Sequence, residues 1–182
     1  MIDTPLERLR AATRRARDLA GADDAPAFDP FPLLEALHRH GARAVVIGQV
    51  AGIMHGSTEP TRDLDLLWDG DPAHAPALTA ALAAVGARLM DESGRPLPAR
   101  PDSLLRPKTQ FTSAGADGDC CTPALAWGGL QVGDCLDRAV AATGPDGLVV
   151  RYVCREDLIR MRRALGRPKD LRRADELDAL PG

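Results

Sequence analysis

Aromatic side chains are scarce in this chain, with three Phe, two Trp and one Tyr among 182 residues. The core must therefore be built from Leu, Val and Ala, and base stacking on an aromatic platform is not expected to be the main mode of any nucleic-acid contact. Lysine is nearly absent: Lys108 and Lys169 stand alone among 23 basic residues. The net charge of -3 gives no general positive field, which excludes a nucleic-acid coat protein. No apolar run is of membrane-spanning length and no segment reads as a signal peptide, so no membrane partner is expected. Cys120, Cys121, Cys135 and Cys154 follow no zinc spacing, and an adjacent pair cannot easily close on itself. They read as small core residues of a reducing compartment, and a cytoplasmic location is expected.

What is present is a core-forming composition, 45% hydrophobic, in a length that suits one ordinary domain with a small helical extension. Helical patterning covers residues 4–20, with Leu6, Leu9 and Leu19 as apolar points, and a loop is expected over 21–26. A second helix opens at Asp29-Pro30 and stops at Gly41. A strand is expected over 43–47, where Ala44 to Ile47 form a continuous apolar run, as in a buried strand. Gly48 ends it, and residues 50–55 allow only a brief helix. A strand over 64–68 and a helix over 72–85 follow. Three prolines, Pro96, Pro98 and Pro101, make 91–106 read as an irregular excursion. Residues 108–113 and 117–122 read as a hairpin. A helix is expected over 133–143 and a strand over 148–154. Helices over 155–165, with Leu165 among its apolar points, and 169–180, with Leu171 inside, are separated by Gly166-Arg167-Pro168. The expected fold class is α/β (α+β), a mixed β-sheet flanked by helices with a C-terminal helical tail. Its parts are an N-terminal helical segment (1–41), a core (42–154) and the tail (155–182).

The densest signal lies between Gly48 and Leu67. A glycine turn, a short helix and a loop lead into a strand that opens with Asp63 and Asp65. Residues two apart on a strand share a face, so two carboxylates stand side by side. At about 4 Å and an effective dielectric near 20, two like charges repel by roughly 4 kcal/mol. Such a pair needs a counter-charge, and a divalent metal is the simplest one. Between Arg151 and Arg173, nine basic residues face only Glu156, Asp157 and Asp170. A basic lobe opposite an acidic site suits a phosphate-rich substrate, although a solvated helix face would carry the same charges. The histidines offer no metal-ligand spacing; His38 and His40 sit near a helix end, His55 lies close to the acidic stretch, and His74 is expected to be exposed.

These blocks resemble the nucleotidyltransferase superfamily of the DNA polymerase beta type, in particular its small bacterial abortive-infection and toxin-like branch. The resemblance is carried by Val45-Val46-Ile47-Gly48, by Thr61-Arg62-Asp63-Leu64-Asp65, and by the tail from Arg155 to Leu171. It implies a transferase that moves a nucleoside monophosphate from a nucleoside triphosphate, ATP among them, to an RNA, protein or small-molecule acceptor. Two Mg2+ ions, or Mn2+ in their place, would be held by Asp63, Asp65 and a third carboxylate, Asp119, with Asp117 as its rival. Gly48, Gln49, Thr61, Arg163 and Lys169 would bind the nucleotide. It further implies a toxin–antitoxin or phage-defence setting with an antitoxin protein as partner. Two positions depart from the pattern. Gln49 stands where a second small residue is usual, and either donates through its backbone or blocks the phosphate with its side chain. Glu59 stands where many relatives are basic. Both departures favour the alternative, a catalytically degenerate module of the same fold that binds a nucleotide or a protein partner.

Overall fold

The computed structural model describes residues 4–20, 28–125 and 127–181. The expected loop over 21–26 and the side chain of Leu19 lie outside the described residues. In chain order the elements are α1 (Pro5–Ala20), α2 (Phe31–Arg39), β1 (Ala44–Ile47), α3 (Gly48–His55), β2 (Asp65–Trp68), α4 (Ala75–Ala84), β3 (Arg88–Met90), β4 (Pro96–Leu97), a 3-10 turn (Pro101–Leu104), β5 (Lys108–Thr112), β6 (Asp117–Cys121), α5 (Val132–Asp137), β7 (Val140–Thr143), β8 (Val149–Tyr152), α6 (Arg155–Leu165) and α7 (Pro168–Ala179). The strands form one mixed sheet in the order β4-β3-β5-β6-β2-β1-β8-β7. The fold is thus α/β, a mixed sheet with flanking helices and a C-terminal helical pair, as expected. Among the described residues no helix is long and apolar enough to cross a membrane.

The centre of the sheet is apolar on both faces. Val45, Val46, Leu66, Leu67 and Trp68 are all buried on β1 and β2, which pair antiparallel. Helix α2 packs with α4, whereas α1 meets α3, α3 meets α6, and α6 meets α7. One continuous cluster of buried side chains runs from Leu6 of α1 to Leu177 of α7. Away from the centre the alternation changes: on β5 only Thr109 and Phe111 are buried, so one face of the β5–β6 hairpin is left open.

That open face carries the acidic residues, and register explains why. Asp63 bridges Asp117 in parallel, Leu66 pairs with Cys120, and Asp119 pairs with Gln110 of β5. Stepping back one residue from Leu66 and Cys120 sets Asp65 beside Asp119. Asp63, Asp65, Asp117 and Asp119 therefore lie in two adjacent rows of one face.

Several expectations are corrected. The helix expected over 133–143 is only α5, after which Val140–Thr143 turns into strand β7 and pairs with β8. Helix propensity in that alanine-rich run loses to hairpin pairing across the Gly144-to-Gly147 turn. The excursion over 91–106 is partly regular. Asp91 Oδ1 accepts from the Ser93 and Arg95 amides and closes a turn that brings β4 onto β3, and Leu104 is fully buried. Leu171, expected inside, is 42% exposed, and Leu165 is 56% exposed. His74, expected exposed, is half-buried, with Nδ1 2.7 Å from Asp69 Oδ2.

Gly118 is the tightest point of the acidic hairpin. A Cβ there would lie 2.0 Å from the Leu64 carbonyl oxygen and 2.9 Å from Phe111 Cζ, so any side chain pushes β6 away from β2. Overpacking of this kind costs about 1–3 kcal/mol, or roughly 3–10 °C in a chain of this size. Gly118→Ala is expected to lower the melting temperature by that amount in a calorimetric scan; an unchanged melting temperature would show that the strands can part freely.

Candidate functional site

The site is a cleft of about 260 Å³ between the open face of the sheet and the α6–α7 corner. Gly48, Gln49, Thr61, Asp63, Asp65, Lys108, Asp119, Arg162, Arg167 and Lys169 line it. A second, shallower groove of about 360 Å³ on the β5–β6 side shares Asp63, Asp65, Asp119, Arg167 and Lys169 and adds Asp117. The acidic rows thus stand on a ridge common to both.

Gly48 makes the first contact possible. Its φ is +66°, and it joins β1 directly to α3. A Cβ there would meet Asp65 Oδ2 at 2.4 Å, so only glycine lets the start of α3 touch the Asp65 carboxylate. No side chain caps α3, since Ile47 occupies the capping position. Its first amides are therefore available to an anion.

Asp65 is the most perturbed acid of the site. Burial first, then the charges of Asp119 and Asp63, push its pKa up to about 6, while the Asp119 amide, 3.3 Å from Asp65 Oδ1, and Lys108 pull the other way. Burial also raises Asp119, against the opposing effect of Lys108, whose Nζ lies 3.6 Å from Asp119 Oδ2. Thr61 Oγ1 accepts from the Asp63 amide at 3.1 Å and fixes the turn that presents this residue.

As they stand, the carboxylates are not drawn into a closed cage: among the described residues no group of three or more His, Cys, Asp or Glu side chains is placed to hold a metal ion. The donor set nevertheless fits a hard divalent cation. It supplies anionic oxygens on one face, and a half-buried carboxylate whose ionisation is opposed by its like-charged neighbours.

The basic side of the cleft is organised by Arg162, which the sequence reading passed over in favour of Arg163. Arg162 is 4% exposed. Its guanidinium donates to Gln49 Oε1 at 2.7 Å, the Arg173 carbonyl at 2.9 Å and the Gly48 carbonyl at 3.4 Å. All three are neutral oxygens. Burial, then Arg173, lowers its pKa to about 10, so it stays charged at neutral pH. Arg163 lies outside the cleft lining and pairs with Asp178 at 2.9 Å. Lys169 lines both grooves from the first turn of α7. Arg167, beside it, is engaged by Asp170. The signal available for Arg162 rather than Arg163 is helical period: Leu158 and Ile159 mark the inward face of α6, and position 162 follows them by four and three residues.

The two departures are also placed. Gln49 Nε2 donates to Ser57 Oγ at 3.0 Å and to the Glu59 carbonyl at 2.9 Å, while its Oε1 accepts from Arg162. Its polar atoms are thus engaged by the protein itself. The Glu59 carboxylate accepts from Arg172 at 3.1 Å and from Arg173 at 2.7 Å. His55 is half-buried, with its ring tilted at 55° to Tyr152 and Nε2 2.9 Å from the Val153 carbonyl. Cys120, Cys121 and Cys135 are buried free thiols, as expected, and Cys154 is half-buried.

Comparison with known protein families finds no matching family, and comparison with curated proteins finds no match either.

Two outcomes follow from the charges. Between pH 3.8 and about 6 the folded chain holds a proton on Asp65 that the unfolded chain releases. This contribution to stability is present at low pH and is lost as pH rises through that window. Without divalent metal, Asp65→Asn is therefore expected to raise the melting temperature at pH 8 by roughly 3–6 °C and to leave it unchanged at pH 4; an equal effect at both would contradict the assignment. Gln49→Ala strips Arg162 of its closest acceptor and is expected to cost about 1.5–3 kcal/mol by urea denaturation.

Proposed function

We propose that the chain is a metal-dependent nucleotidyltransferase of the DNA polymerase beta type superfamily, moving a nucleoside monophosphate from a nucleoside triphosphate to an acceptor hydroxyl. The observation that supports this most is the pairing, within one cleft, of an acidic row that Lys108 compensates only in part with a buried arginine whose hydrogen bonds all go to neutral oxygens, at an uncapped glycine turn. A triphosphate carrying a divalent cation answers both charges.

In this reading Asp63, Asp65 and Asp119 hold Mg2+ or Mn2+, with Asp117 next in line on the same face. The metal, when bound, supplies Lewis-acid polarisation and neutralises charge on the leaving pyrophosphate. The α3 amides, Arg162 and Lys169 bind the phosphates, and Thr61 orients the Asp63 turn. The acceptor oxygen bonds to the α-phosphorus as the α–β phosphoanhydride bond breaks, pyrophosphate leaves, and the hydroxyl proton passes to a carboxylate of the row. The acceptor is an RNA end, a protein hydroxyl or a small molecule such as an aminoglycoside. A toxin–antitoxin or phage-defence role, with an antitoxin partner and a cytoplasmic site of action, rests on the resemblance of the motifs alone.

One observation favours the second reading, a non-catalytic nucleotide- or protein-binding module. Lys108 stands 3.6 Å from Asp119 and already supplies part of the counter-charge that a metal would give.

Thermal shift with Mg2+ and each nucleoside triphosphate separates the two. The enzyme reading expects stabilisation that requires both components and disappears in Asp63→Ala/Asp65→Ala. It also expects label from an α-labelled nucleoside triphosphate to appear on total RNA, lysate protein or an added polyol, and not with the double variant. Nucleotide stabilisation indifferent to metal and to those substitutions would establish the binding module instead.

A further inference from the structure

The cleft has a second half that the phosphate chemistry does not use. Leu158, Met161 and Leu165 recur at spacings of three and four along α6 and form one apolar stripe. All three line the cleft, together with Leu125 and Trp127 from the segment after β6. Leu165, at the mouth, is 56% exposed, an uncovered large apolar side chain. Trp127 is half-buried, and its ring is fixed by an indole N–H donated to the Thr122 carbonyl at 2.9 Å. Gly128 seats this segment against Ala164 of α6. Arg162, one residue beyond Met161, turns its guanidinium to Gly48. Helix α6 thus presents an anion-binding group and an apolar surface to the same cavity.

A ligand that fills this cavity must be anionic at one end and flat and apolar at the other. Inorganic pyrophosphate would leave Trp127 and Leu165 uncovered. A nucleoside triphosphate matches both halves. The side-chain polar atoms on the apolar wall are few: the indole N–H is already donated, and Cys121 is a buried thiol. Such a wall reads contact area rather than the donor and acceptor pattern of a base edge.

Building on the reading above, we propose that Trp127 and the Leu158–Met161–Leu165 stripe form the nucleobase subsite of this cleft. It favours purines over pyrimidines by area and leaves adenine and guanine nearly equal.

The test is a titration of the full chain, in Mg2+, with ATP, GTP, CTP, UTP and inorganic tripolyphosphate, followed by tryptophan emission and by thermal shift. Trp68 is 1% exposed, so emission changes report Trp127. ATP and GTP are expected to bind within about threefold of each other and several-fold more tightly than CTP and UTP. Each nucleotide changes the emission, and tripolyphosphate binds without changing it. Trp127→Ala is expected to weaken ATP about tenfold, the size of one lost base stack, and to leave tripolyphosphate unaffected, while Trp127→Phe restores most of the loss. Leu165→Ser, at an exposed position, weakens ATP a few-fold and decides the matter should Trp127→Ala lower the melting temperature. Nucleotides that bind no better than tripolyphosphate, or a tenfold preference between ATP and GTP, would overturn the subsite while leaving the transferase reading intact. If neither tripolyphosphate nor any nucleotide binds, it is the parent reading that fails.

Discussion

Asp65 is a carboxylate held where its charge is least welcome, and the open face of the sheet is arranged around that constraint. The fully buried acids among the described residues are neutralised locally. Asp157 is 1% exposed, and although burial pushes its pKa up, the bonds from Arg138 and Cys154 and the charges of Arg138 and Arg160 together outweigh that, so its pKa falls. Asp170, 5% exposed, is engaged by Arg167. Asp65 receives a backbone amide, two like-charged neighbours and the weaker opposing charge of Lys108. A fold able to supply arginines for structural carboxylates leaves this one without, and places it against the only residue type that permits the start of a helix to touch it. Perturbed groups of this kind, in a cleft and with identifiable perturbers, mark functional positions more often than structural ones.

The cations mirror this. Arg138 and Arg172 meet carboxylates directly. Arg162, the most deeply placed arginine of the cleft, meets neutral oxygens. It and Asp65 both meet Gly48: the guanidinium contacts the glycine carbonyl, and the carboxylate lies against its α-carbon. A ligand that brings a cation to one and an anion to the other gains from both, and this is the physical content of the transferase proposal.

Much of this was legible before any coordinates. The alternation of Asp63 and Asp65, the glycine that ends β1, the hairpin carrying Asp119 and the Gly-Arg-Pro break are local patterns, and local patterns survive folding when they agree with burial. What was not legible depends on pairing between distant segments. Val140 to Thr143 read as helix because alanine favours it, and became a strand because β8 was there to pair with. Leu165 and Leu171 fit a helical period yet stay outside, since period gives a face but not what covers it. Arg163 and Arg162 differ by one position, or 100° around α6, and only the packing of that helix on α3 decides which reaches the cleft. Trp127 carried no motif at all; its place follows from how the segment after β6 lies on α6.

The two departures from the motif's usual pattern turn out to be one feature. Gln49 accepts from Arg162 and donates to the Glu59 carbonyl. The Glu59 side chain grips Arg173, whose carbonyl accepts from Arg162 in turn. Glu176, on the same helix, accepts from Ser57, which is itself bonded to Gln49. A larger polar residue at the turn and an acid in the loop are therefore the two ends of a network that fixes a buried guanidinium beside Gly48 and fastens α7 to the loop leading into Asp63. Read singly, each substitution argues for a lost site. Read through Arg162, they describe how this chain holds its positive charge in place with neutral partners, which is the condition for that charge to remain available to a ligand.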